Sequence, residues 1–256
     1  MIIRKSEAEI EKMARAGAVV RGCLELLEEE VKVGVTTKTL DKLAEEYIRS
    51  KGGVPTFKGY EVSGTSFPFP GAICASPNSM VVHGIPQKKV LLKEGDILSV
   101  DVGVTMDGYV ADAASTFAVG DISSEAIHLL EVTKESLALG VAQCQIGKRI
   151  GDISHAVQSF VESNGYSVVR SMVGHGVGRE MHEDPQVPNY GKAGKGPELR
   201  EGMVIAIEPM VNAGGFDVEV GDDSWAIYTK DGSLSAHFEH TVAITKKGPR
   251  ILTVRN

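Results

Sequence analysis

Two histidines, His175 and His182, lie in the glycine-rich run Gly174-His175-Gly176-Val177-Gly178-Arg179-Glu180-Met181-His182-Glu183-Asp184-Pro185. Two imidazoles in a segment where the backbone can approach closely suggest a site. Four carboxylates elsewhere are placed to complete it: Asp101, Asp112, Glu208 and Glu239, each in a largely apolar, strand-like run. A charge in such surroundings is costly unless compensated, and a bound metal is the simplest compensation. Carboxylate bridging suits paired divalent ions, and the imidazole of His175 favours a transition metal over Ca²⁺ or Mg²⁺. The four negative charges match two divalent cations; without metal they would raise one another's pKa values. Between two ions roughly 3.5–4 Å apart, a bridging water becomes a strong nucleophile near neutral pH. The chemistry implied is hydrolysis.

Taken singly, each residue has an ordinary explanation. Asp101 reads as an edge-strand acid, Glu208 as a surface acid at a strand end before Pro209, and Glu239 as one exposed position in an alternation. His83 reads as a loop residue beside Gly84, and His182 as an ion-pair partner of Glu183 and Asp184. The case rests on the set.

The elements that must position these groups follow a repeated order. Ser6 and Glu9 form a capping-box pattern ahead of a helix with Ile10, Met13, Ala14, Gly17, Val20, Leu24 and Leu27 on one face, ended by Gly34. Thr36 or Thr37 opens a second helix carrying Leu40, Leu43, Ala44, Tyr47 and Ile48, stopped at Gly52-Gly53. Strand-like runs over 96–105 and 109–119 meet across Asp107-Gly108, a strong hairpin dipeptide. A two-residue loop would pair Met106 with Tyr109 and Gly103 with Asp112, making Asp101 and Asp112 diagonal neighbours on one face. A three-residue loop would put them on opposite faces.

The order then recurs. Ser123 or Ser124 opens a helix through Ile127, Leu130 and Leu137 to near Gly147, and a shorter one runs from Asp152 through Val157 and Phe160 to Asn164-Gly165. Strands are expected near 167–173, 203–211, 225–229 and 236–245. The pattern predicts one catalytic domain over 1–256, a duplicated α+β unit with halves of about 1–120 and 121–256.

The composition sets bounds. With 256 residues and 42% hydrophobic content, the chain can bury a sizeable core. A net charge of −7 argues against an electrostatic nucleic-acid footprint. Cys23, Cys74 and Cys144 are too few and scattered for a disulfide framework, which fits reduced thiols and a cytoplasmic setting. The start turns charged at Arg4-Lys5, with no signal-peptide core and no membrane-length apolar run anywhere. Nothing demands more than a monomer.

At these residues the sequence resembles the methionine aminopeptidases of type I. The resemblance runs through Ala75-Ser76-Pro77-Asn78, Val82-His83-Gly84-Ile85-Pro86, Leu92-Lys93-Glu94-Gly95-Asp96-Ile97, Ser99-Val100-Asp101-Val102-Gly103, the His175–Pro185 run, Ile207-Glu208-Pro209 and Glu239-His240-Thr241. It implies the pita-bread fold of that family, two pseudosymmetric αβ halves around a central antiparallel sheet. It also implies that Asp101 binds one metal, Asp112 and Glu239 bridge two, and His175 and Glu208 bind the second. The ions would be Co, Mn, Fe or Zn. Glu208 would handle the nucleophile's proton, while His83 and His182 would contact the scissile amide and stabilise charge on its carbonyl oxygen. Phe69, Cys74, Met181 and Trp225 would line the methionine pocket. The implied substrate is the N-terminus of a nascent polypeptide, cut after Met when the second residue is small. Such a role is compatible with ribosome association, although the acidic balance gives it no support.

The chain departs from the family at Met181, where an aromatic is frequent, at Val82, where a Cys is, and at Ala113-Ala114, where a Thr is commoner. The segment from Phe57 to Pro70 is also altered. With no Cys-rich N-terminal extension and no long insertion between Glu208 and Glu239, the bacterial type I form fits best. An X-Pro peptidase on the same fold is the nearest rival, and a non-catalytic binding protein on this scaffold is another. A di-iron oxygenase is disfavoured because its Glu-x-x-His pairs belong on bundle helices.

Overall fold

A computed structural model describes residues 1–254. Helix α1 (Glu7–Glu30) starts at the expected capping box: the Ser6 hydroxyl accepts the Glu9 N–H, and Glu9 Oε2 accepts the Ser6 N–H at 2.8 Å. Thr36 caps α2 (Thr37–Ser50), its hydroxyl accepting the Thr39 N–H at 3.2 Å. Short strands β1 (Val54–Pro55), β2 (Ile73–Pro77) and β3 (Met80–Val82) precede the long hairpin of β4 (Ile97–Met106) and β5 (Tyr109–Ala118). Asp107 and Gly108 turn it with φ of 52° and 75°, the left-handed pair a type I′ turn needs. The register pairs Met106 with Tyr109 and Gly103 with Asp112, as the dipeptide predicts. Asp101 faces Ala114, so Asp101 and Asp112 are diagonal neighbours.

The second set of helices is α3 (Ser124–Ala142), capped by Ser123, and α4 (Ile150–Ser163). Helix α3 stops short of the expected end near Gly147, because the following residues turn away and the Gly147 N–H bonds the carbonyl of Leu199. Ile127 of this helix is 46% exposed, and Leu129 fills the core. The expected helix start at Asp152 lies two residues inside α4; Asp152 instead caps it, its carboxylate accepting the Arg149 N–H at 2.8 Å.

The remaining strands are β6 (Ser167–Val168), β7 (Gly174–Gly176), β8 (Glu183–Val187), β9 (Val204–Ile207), β10 (Met210–Asn212), β11 (Val218–Val220), β12 (Ile227–Thr229), β13 (Ser235–His237), β14 (His240–Thr245) and β15 (Gly248–Ile251). Every pairing is antiparallel. One sheet carries β5 on one side of β4 and β1 and β2 on the other, and a second runs β15-β14-β9-β7-β8. Two small sheets, β13-β10-β6 and β11-β12-β3, flank them.

Continuous strands over 203–211 and 236–245 are not observed: each breaks at its acid. Glu208 and Glu239 sit between β9 and β10 and between β13 and β14, where the chain passes from one sheet to another. Pro209 has no N–H to continue the ladder after Glu208. The Glu239 N–H leaves its own strand to bond the Ala114 carbonyl on β5 at 3.0 Å. That bond ties the hairpin to the second group of strands.

Helices α1 and α2 cover the hairpin through Val20, Leu27, Leu40 and Ile48 against Val100, Val102 and Val104. Leu137 of α3 and Ile153 of α4 cover Ile205, Ile207 and Val242 of the second sheet. Helices on the outside and acids on the inner strands leave the charged residues at the centre. Among the described residues no helix is long and apolar enough to cross a membrane.

Candidate metal centre and active-site cavity

The structure brings all eleven singled-out residues to one cavity of about 840 Å³: Phe69, Cys74, His83, Asp101, Asp112, His175, Met181, His182, Glu208, Trp225 and Glu239 all line it. Asp112, His175 and Glu239, all buried, each offer a donor atom within 4.8 Å of the others. His175 Nε2 lies 3.5 Å from Asp112 Oδ2 and 3.5 Å from Glu208 Oε1. Its other nitrogen, Nδ1, lies 2.9 Å from the carbonyl of Gly176 and donates to it, which holds the ring with Nε2 facing the acids. Asp101 enters from β4 beside Asp112.

A second layer holds these ligands. The Thr241 hydroxyl lies 2.8 Å from Asp112 Oδ1 and accepts the Asp112 N–H at 3.0 Å. Asn189 donates to the Glu208 carbonyl at 2.9 Å. Thr241 fixes both main chain and side chain of Asp112, and Asn189 fixes the main chain at Glu208, which limits how far the acids can relax from one another.

The electrostatics favour a bound cation or protonated acids. Burial first, and then the neighbouring carboxylates, push Asp101, Glu208 and Glu239 well above the usual carboxylate range. Asp112 is raised less, because His175 and the Thr241 hydroxyl offset part of its burial. Asp101 Oδ1 and Asp112 Oδ2 are buried with no hydrogen-bond partner among the described residues. Orphaned acceptors are costly in a protein interior. Four acids and an imidazole with free lone pairs are the donor set a transition metal takes, so these residues fit bound divalent ions.

Two further imidazoles stand on the cavity wall. Burial lowers His83 to about 4. Burial, followed by the neighbouring His175 and His83, lowers His182 to about 4. Both are neutral at pH 7 and can present an N–H without carrying charge. His182 packs edge-on against His175 with ring centres 4.4 Å apart. His83 sits in a left-handed backbone conformation, φ 60°, and its ring meets Trp225 edge-on at 6.5 Å.

Beside the acids the wall turns apolar. Phe69 and Trp225 meet edge-to-face at 5.1 Å, and the indole N–H donates to the Phe67 carbonyl at 3.0 Å. Cys74 and Met181 complete the same buried cluster. A thioether fits such a lining, with sulfur–aromatic contact adding about 0.3–1.5 kcal/mol.

Sequence reasoning missed several residues of this cavity. Tyr60 and the stretch from Glu61 to Thr65 line it from the altered segment, where no periodicity marks them. Beside the lining, His237, buried at the end of β13, brings Nε2 to 3.7 Å from Glu208 Oε2.

A buried acid cluster fit for divalent ions, neutral imidazoles beside it and an adjoining apolar pocket define a metal-dependent hydrolase. Residues 11–246 match the model of metallopeptidase family M24. A methionine aminopeptidase from Clostridium acetobutylicum is 54% identical over 254 residues, covering 99% of each chain. The crystal structure of methionine aminopeptidase from Thermotoga maritima superposes with a TM-score of 0.96 at 45% identity, covering 100% of both chains. A prolidase from Pyrococcus furiosus shares the fold at a TM-score of 0.77 and 23% identity, covering 99% of this chain and 66% of that one. The chain belongs to metallopeptidase family M24 and, within it, to the methionine aminopeptidases. Its fold is the pita-bread fold that the sequence implied.

Proposed function

We propose that this chain hydrolyses the peptide bond after the N-terminal methionine of new polypeptides whose second residue is small. One catalytic domain over 1–256, built of related halves at about 1–120 and 121–256, works as a monomer in the cytoplasm. The same role accommodates work beside the ribosome. The observation that carries the reading is the convergence of the acid cluster, the two neutral imidazoles and the Phe69–Trp225 pocket on one cavity.

Asp101, Asp112, His175, Glu208 and Glu239 would hold the divalent ions, the carboxylates supplying the charge and His175 the nitrogen donor; Co, Mn, Fe or Zn suit these donors. When bound, the paired ions supply an acidified water as nucleophile and polarise the scissile carbonyl. Glu208 would act as the acid/base, accepting a proton on its carboxylate and returning it to the departing amine. His83 and His182 hold N–H groups toward the carbonyl oxygen as its negative charge grows. Phe69, Cys74, Met181 and Trp225 seat the methionine side chain and so fix the bond that is cut.

Purified protein loaded with each metal in turn should release methionine from Met-Ala-Ser and leave Xaa-Pro peptides intact. Turnover of the Xaa-Pro series alone would move the chain to its rival activity. Failure to retain any divalent ion would instead favour a binding module.

A further inference from the structure

Tyr60 is a cavity residue with a partner that carries chemistry. Its hydroxyl lies 2.6 Å from Nδ1 of His182, and the two rings meet edge-on at 5.5 Å. Among the described residues the hydroxyl has no other hydrogen-bond partner. The main chain around it is fixed: the Tyr60 N–H donates to the Phe57 carbonyl at 2.9 Å, and the Tyr60 carbonyl accepts the Phe69 N–H at 2.8 Å. Tyr60 therefore sits at the closed neck of the 61–68 excursion, not on its free part.

A neutral imidazole carries one proton, on either nitrogen, and the partner of one nitrogen decides what the other presents. A phenol O–H is more acidic than an imidazole N–H and a bare imidazole nitrogen is the better acceptor, so the favoured form of this 2.6 Å contact has the phenol donating to a bare Nδ1. We infer that Tyr60 is a positioning residue that holds His182 as the Nε2–H tautomer and keeps that N–H directed into the cavity. In this form His182 can donate to the carbonyl oxygen of the scissile bond. The opposite tautomer would meet the developing negative charge with a lone pair. The inference rests on the reading of the cavity as a methionine-removing site and adds to it how one of the oxyanion donors is set.

The test is the ¹⁵N spectrum of ring-labelled histidines in the Zn-loaded protein, with His182→Gln to assign the signals. A bare, hydrogen-bonded Nδ1 and a protonated Nε2 on His182 are expected; a proton on Nδ1 overturns the proposal whatever the activity. Tyr60→Phe keeps the ring and loses the hydroxyl. It should lower kcat on Met-Ala-Ser about tenfold, leave KM within about twofold and metal content unchanged, and shift the His182 Nδ1 signal. A raised KM with unchanged kcat would make Tyr60 a pocket wall only and would also overturn it. Should the unaltered protein fail to cleave Met-Ala-Ser, the functional reading falls while the spectrum still reads the tautomer.

Discussion

The floor and the wall of the cavity are built by different means. On the floor, Asp101 and Asp112 ride a hairpin whose ten-pair register is continuous, and Glu208 and Glu239 sit where strands break between sheets. Strand pairing sets the two aspartates, and the Thr241 hydroxyl and the Glu239–Ala114 main-chain bond tie the flanking segments to the same hairpin. On the wall, Phe69, His83, His182 and Trp225 come from loops or bends and are held by ring contacts and single hydrogen bonds. The contrast follows from what each part must do. Cation ligands must be placed to a fraction of an ångström, which strands achieve better than loops. A pocket wall needs only shape and apolar character. Met181 and the 60–65 stretch accordingly lie on the wall.

The contrast predicts that floor changes reach the metals and wall changes spare them. Glu208→Gln should reduce turnover by about 10²–10⁴-fold, lower metal stoichiometry and leave the circular dichroism spectrum unchanged. Near-normal activity in that variant would break the floor as drawn. His182→Ala should lower kcat by about 10²–10³-fold at unchanged metal content, measured by elemental analysis beside steady-state kinetics. Loss of metal there would move His182 from wall to floor.

Smaller effects sharpen the boundary. Thr241→Val removes the hydroxyl that orients Asp112 and should weaken metal binding about 10–100-fold by titration calorimetry, although it touches no ion. Unchanged affinity would show that strand register alone fixes Asp112.

A pH series in the melting temperature is the gentlest test. The folded acids have raised pKa values, so the metal-free native state holds protons that the unfolded chain releases. Their contribution to its stability is full below the unfolded carboxylate pKa of about 4 and is lost as pH rises toward the folded values. Metal binds the ionised form and gains over the same range. The melting-temperature gap between metal-loaded and stripped protein should therefore widen from pH 5 to 8. A constant gap would mean the acids are already ionised without metal.

Much of this arrangement is legible in the residues. Asp107-Gly108 dictates the hairpin loop, the loop dictates register, and register places Asp101 beside Asp112. Ser6, Thr36 and Ser123 mark helix starts because their side chains satisfy otherwise orphaned N–H groups. Glu208 and Glu239 were legible as acids in apolar runs but not as strand breaks, since the Glu239 N–H finds its partner on a strand more than a hundred residues earlier. Tyr60 left no periodic trace, because its place depends on one bond to Phe69 across an excursion and one to His182.

The sequence by itself determined the local chemistry: which residues can ligate, where helices start, how the hairpin pairs. Tertiary structure alone decided that acids from three distant segments share one cavity and that Tyr60 meets His182. Local geometry follows from neighbours along the chain, whereas convergence is set by how helices and sheets cover one another's apolar faces.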